Sequence, residues 1–110
     1  MSDASDFGDA YSEWDERLGA LLTNEASYLH DRFLEVVATG TTTIRQQDGI
    51  WTATFQPSRW RDGWLSSEGT RPDGQGTSGR TRIARKSTRE QLESAITLDI
   101  GIGMLWLREP

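Results

Sequence analysis

From Tyr11 to Val37 the chain carries one apolar stripe. Tyr11, Trp14, Leu18, Leu22, Ala26, Leu29, Phe33 and Val36 recur at steps of three and four. That spacing puts them on one face of an amphipathic helix. The stripe is the largest block of surface that must find a cover, so the fold has to be organised around it. Ser5 or Asp6 is suited to cap its start, and Asp9 and Glu13 suit the positive end of the helix dipole. Gly40 is a natural stop after the last turn, and residues 1–5 are expected to be disordered.

Length makes this helix a problem. About thirty residues in one straight helix span about 45 Å at ~1.5 Å per residue, which exceeds the width of a 110-residue domain. Either the helix breaks near Thr23-Asn24, two residues better suited to caps than to helix interiors, or one end packs on a second copy. The stripe passes through Thr23-Asn24 in phase, so we expect a long or kinked helix.

The chain is long enough for one domain with a modest core. It has no cysteine, which excludes disulfides, thiolate metal sites and cysteine nucleophiles. No run of apolar residues is long enough to span a membrane. The N-terminus, Met1 to Asp6, lacks the basic start and apolar middle of a secretory signal, so a cytoplasmic protein is expected. Net charge is -5 and is unevenly placed. Up to Glu35 there are nine acids against two arginines, while the remainder holds eight acids and ten bases. An acidic helix repels nucleic acid and anionic membranes and favours a basic protein partner.

Behind the helix, residues 41–47 and 50–56 flank Asp48-Gly49, the preferred pair for a two-residue hairpin turn. That turn sets Gln46 opposite Trp51, Ile44 opposite Ala53 and Thr42 opposite Phe55. Ile44, Trp51, Ala53 and Phe55 then share an apolar face that can bed the stripe. Pro57 ends the second strand. Asp62-Gly63, between Trp60 and Trp64, suggests a second small hairpin. Residues 66–79 are rich in glycine, serine and threonine and read as a flexible loop. A short edge strand is expected around Ile83. Ser87 and Glu90 have the spacing of a capping box and open a helix carrying Leu92, Ala95 and Ile96. Beyond it, Gly101, Gly103 and the placement of Asp99 favour an extended or irregular tail, because each helical glycine costs about 1 kcal/mol.

The chemistry is sparse. His30 is the single histidine, no Gly-x-Ser-x-Gly elbow is present, and the carboxylates Asp9, Glu13 and Glu16 form a solvated face better than a metal site. No catalytic residue, metal ligand or cofactor is assigned. Gly74 to Thr81 has the glycine spacing of a phosphate-binding loop, but arginine stands where lysine belongs and the strand–loop–helix context is missing. Arg80, Arg82, Arg85, Lys86 and Arg89 form a basic cluster suited to a polyanion, with Trp60 and Trp64 available for base stacking. Of five tryptophans, Trp14 and Trp51 fit the core, whereas exposed tryptophans are typical interface anchors.

Three segments bear a family likeness. The acidic N-terminal helix, Asp48 to Phe55, and Trp64-Leu65-Ser66-Ser67 resemble frataxin, a small iron-binding α+β protein. Frataxin has another full strand between the last two segments, where this chain has a short proline-containing link. Its later strands also differ, so iron binding is not carried over. In size and charge the chain is similar to small acidic secretion chaperones and immunity proteins.

The sequence therefore describes a single α+β domain over residues 1–110: a long or kinked N-terminal amphipathic helix on a small antiparallel sheet, completed by a C-terminal helical or mixed segment. The expected function is non-enzymatic: an adaptor, chaperone or inhibitor that binds another, basic protein through Asp9, Glu13, Glu16, Trp60 and Trp64, as a homodimer and without a membrane. The alternative is nucleic-acid binding through the arginine cluster, and a small carboxylate-based enzyme is third.

Overall fold

A computed structural model of the chain describes residues 2–57, 63–83 and 88–109, with side chains described from Ser12 onward, Pro57 excepted. Two helices, α1 (Ser2–Asn24) and α2 (Ala26–Thr39), precede four strands, β1 (Thr41–Gln46), β2 (Gly49–Pro57), β3 (Gly63–Thr70) and β4 (Gly76–Ile83). Helix α3 (Arg89–Arg108) follows. The strands form an antiparallel meander in the order β1-β2-β3-β4. The helices cover one face: α2 lies on β1 and β2, α3 lies on β1 to β3, and α1 packs on α3. The architecture is the expected α+β one.

The N-terminal stripe is a kinked helix. Helicity lapses at Glu25 alone, and backbone bonds from Glu25 N–H to Leu21 O (2.9 Å) and from Leu29 N–H to Glu25 O (3.0 Å) carry across it. The Thr23 hydroxyl donates back to Gly19 O at 3.0 Å, a pattern that bends helices. Arg108, at the end of α3, grips the Glu25 carboxylate with two nitrogens, at 3.0 and 3.1 Å, and donates its Nε to Gln46 Oε1 at 3.0 Å. Of the stripe, Leu18, Leu29, Phe33 and Val36 are buried and Trp14 and Leu22 half-buried, but Ala26 is exposed and Leu21 takes a core place. Gly40 ends α2 in the left-handed region and donates to Val36 O. Residues 2–5, expected to be disordered, belong to α1.

The first hairpin keeps the expected faces but not the expected register. Ile44 pairs with Trp51 and Gln46 with Gly49, and the positive φ angles fall at Gln47 (53°) and Asp48 (60°). The register differs by two residues, which preserves every inward side chain, whereas a shift of one would have inverted the strand. Gly49 lies in β2, paired with Gln46, rather than in the turn. A Cβ there would stand 2.7 Å from Leu107 Cδ2.

Residues 66–79 are strand, turn and strand rather than a flexible loop. β3 pairs with β2 from Gly63 to Thr70 and with β4 over its whole length. The small hairpin expected around Asp62-Gly63 falls partly outside the described residues; Trp64 itself lies in β3, opposite Gln56. Thus β2 and β3, which carry Trp51 and Trp64, are directly paired. β3 hid its inward alternation because Ser67 and Gly69 occupy inward positions: Gly69 lies under the Trp51 and Trp106 rings, where a Cβ would come within 2.6 and 2.7 Å. Arg71, from the turn, donates twice to the carbonyl of Trp106 (3.1 and 2.9 Å) and stacks 4.2 Å over its ring. It caps the negative end of α3.

The C-terminal segment is one helix of 20 residues, not a short helix with an extended tail. Its capping box is Thr88 and Gln91, with bonds of 3.1 and 2.8 Å, one step beyond the expected Ser87 and Glu90; Ser87 is outside the described residues. The glycines are retained for contact. A Cβ on Gly103 would lie 2.3 Å from Trp51 Cδ2, and one on Gly101 2.9 Å from Leu22 Cδ2.

Two glycine-to-alanine changes should therefore act in opposite directions in chemical denaturation. Gly19→Ala, on α1 with nothing within 4 Å of the new methyl, is expected to stabilise by about 0.5–1 kcal/mol. Gly103→Ala gains the same propensity but collides with Trp51, and overpacking of about 1–3 kcal/mol or more makes it a net loss.

Candidate binding groove

The kink opens a groove between the N-terminal helices and α3. Leu22, Ala26, Leu29 and His30 line one side, and Glu90, Glu93, Ser94, Thr97 and Leu98 line the other, around about 650 Å³. The floor is apolar and the α3 wall ends in two carboxylates. His30 Nδ1–H donates to Glu93 Oε1 at 2.6 Å, tying α2 to α3 across the groove. Leu34 and Val37 follow His30 by four and seven residues, which puts them on the same side of α2. They are 39% and 50% exposed, and Leu98 on α3 is 42% exposed. Asp15 stands two turns before Leu22 on α1 and is exposed.

A second polar site lies between α3 and the sheet. The Ser67 hydroxyl donates to Asp99 Oδ2 at 2.6 Å. The indole N–H of Trp51 faces the same carboxylate, outside good hydrogen-bonding geometry. Burial raises the Asp99 pKa above the ordinary aspartate value, while Ser67 and Trp51 pull it back. The expectation that Asp99 could not sit on a buried helix face overlooked Ser67, thirty-two residues earlier.

The open face of the sheet carries the third. Trp64 is half-buried there, with the Arg80 guanidinium 4.3 Å and that of Arg82 5.8 Å from its ring. Trp64 is thus roofed by arginines rather than bare. Arg89 lies on the other side of the sheet, 5.8 Å over the Phe33 ring, so among the described residues Arg80 and Arg82 do not share a patch with Arg89. Arg85, Lys86 and Trp60 are outside the described residues. Glu13 and Glu16 are exposed on α1, and Asp9 lies on the same helix with its side chain outside the description. Trp51 is buried and Trp14 and Trp106 pack against the core.

Among the described residues no group of three or more His, Asp or Glu side chains is placed to hold a metal ion. No helix among them is long and apolar enough to cross a membrane. Comparison with protein-family models, with curated proteins and with solved structures gives no match.

The raised Asp99 pKa fixes the sign of a pH effect. Between the unfolded and folded values the native state holds the proton that the unfolded state has lost, so stability falls as pH rises through that window. Asp99→Asn keeps an acceptor for Ser67 without the charge. It is expected to raise the melting temperature at pH 7 and to flatten its decline between the ordinary aspartate range and neutrality. Equal melting curves across that range would sink the assignment.

Proposed function

We propose that this chain is a non-enzymatic binding protein that seats a basic amphipathic helix of another protein in the groove between the kinked helix and α3. The groove carries the reading: an apolar floor with an acidic wall, continued by the exposed Leu34, Val37 and Leu98. Helix-in-groove recognition uses an apolar stripe at steps of three and four, with charge setting orientation. Glu90 and Glu93 meet the basic flank of the guest. The acids of α1, Glu13 and Glu16 among them, add a long-range field that speeds encounter.

The other readings have less support. A nucleic-acid site would draw on Arg80, Arg82 and Trp64 alone, since Arg89 is on the far side of the sheet. A carboxylate enzyme would draw on Asp99, which lies outside the groove.

The probe is an amphipathic helical peptide of leucine and lysine, titrated by calorimetry. Binding is expected to weaken with added salt, as exposed charge pairs are screened. Ala26→Trp, which fills the groove, should weaken it at least ~10-fold, or about 1.4 kcal/mol. Glu13→Lys with Glu16→Lys should slow association and leave dissociation nearly unchanged. A peptide that binds Ala26→Trp as tightly as the wild type would overturn the proposal.

A further inference from the structure

β4 is one of the sheet's two edge strands, β1 being the other. Among the described residues it pairs with β3 alone, in unbroken register from Ile83 opposite Gly63 to Gly76 opposite Thr70. Residues 76–82 are all exposed. Proteins protect such edges with charged side chains, proline, bulges, covering elements or inward-pointing charge, and of these β4 has only the arginines of its open face. β4 has no proline and no bulge, none of the described helices buries it, and its charges, Arg80 and Arg82, stand on the open face with Trp64. Its outer row of backbone donors and acceptors is set to receive another strand.

We propose that a second copy of this chain takes that place, β4 pairing antiparallel with the partner's β4 about a two-fold axis at Gly79, so that two four-stranded sheets become one of eight. The register follows from charge. Opposed residues in an antiparallel pair share a face, so acceptable registers move in steps that preserve the faces. An axis at Arg80 sets two arginines against each other, and one at Thr81 sets Arg80 against the partner's Arg82; like charges directly opposite are unfavourable. An axis at Gly79 sets Arg80 opposite the partner's Ser78 and Arg82 opposite the partner's Gly76.

The next strand supplies the attraction. Within each copy Ser78 is paired with Glu68 of β3. Across the joined sheet Arg80, on swinging away from the Trp64 ring of its own β3, reaches over the partner's Ser78 to the partner's Glu68. The two backbones are about 10 Å apart at two strand spacings of ~4.8 Å, within the combined reach of arginine and glutamate over a serine. The two-fold axis makes this contact twice. On the inner face Thr77 meets the partner's Thr81, a favourable cross-strand pair. At the axis Gly79 brings no side chain. This complementarity is self-directed, because one strand's own neighbours supply both charges, and it selects a second copy over an unrelated extended segment. The edge is separate from the helical groove, so a dimer presents two grooves and gains avidity for a multivalent partner. The inference does not rest on what the groove binds.

Native mass and sedimentation at ~100 µM, where a contact with a Kd of ~10 µM is mostly dimeric, give the test. The wild type should have twice the chain mass. Arg80→Glu and Glu68→Arg should each weaken the dimer at least ~10-fold, since each sets like charges at both contacts. An equimolar mixture of the two variants should recover a dimer containing one of each, because both contacts then join opposite charges. Recovery on mixing is not available to an ion pair inside one chain. A monomeric wild type overturns the proposal, as does a dimer indifferent to both changes or a mixture that stays monomeric. Should a variant fail to fold, amide exchange of the wild type decides: protection of residues 76–82 must rise with protein concentration, and its absence overturns the proposal.

Discussion

The indole of Trp51 is the point about which the molecule closes. It rises from the second strand into a slot whose walls have no side chains of their own, Gly69 on the neighbouring strand and Gly103 on α3. Trp106 completes the slot, its ring centre 6.0 Å from that of Trp51. A large ring can be buried between helix and sheet only where the helix surface is bare, so α3 accepts the backbone cost of glycine at that turn. The helix's depth and rotation follow from this contact. They in turn bring Asp99, one turn earlier, onto Ser67, and carry Trp106 to the place where Arg71 stacks and caps.

The same contact explains which parts of the structure were legible in the sequence. The stripe, its stop at Gly40 and the inward face of the first hairpin were readable, because each declares itself by periodicity or by a residue with a special backbone need. β3 and the second half of α3 were not. β3 meets the core partly through Ser67 and Gly69, which leave no hydrophobic signal, and in α3 Gly101 and Gly103 interrupt the buried Ile100, Met104, Leu105 and Leu107 so that the run alternates like a strand. β4 was hidden for another reason: as an edge strand it places only Ile83 in the core, so its composition is that of a loop. Of the candidate site residues, Glu13 and Glu16 are exposed on α1, the helix that also carries Asp9. The groove itself was not foreseen, since it depends on how a kinked helix lies against an element read as irregular. The arginines were visible as a run, but a run says nothing about which side of a sheet each residue will reach.

Charge is divided along the architecture as well as along the chain. The helical layer carries the acids of α1 and the wall of the groove, while Arg80 and Arg82 occupy the open sheet face. The two proposed contacts, a cationic guest on the helical layer and a second copy at the sheet edge, use different surfaces and do not compete.

Arg108 gives the kink a mechanical meaning. The bend at Glu25 sets the angle between the two N-terminal helices, and its carboxylate is held from the far end of α3, by a side chain that also holds the first hairpin through Gln46. Spreading the helices pulls on that clasp. The bidentate grip is partly open to solvent, so its hold weakens as salt rises. Under the proposed function, a guest that spreads these helices works against an ionic latch, the Arg108–Glu25 pair.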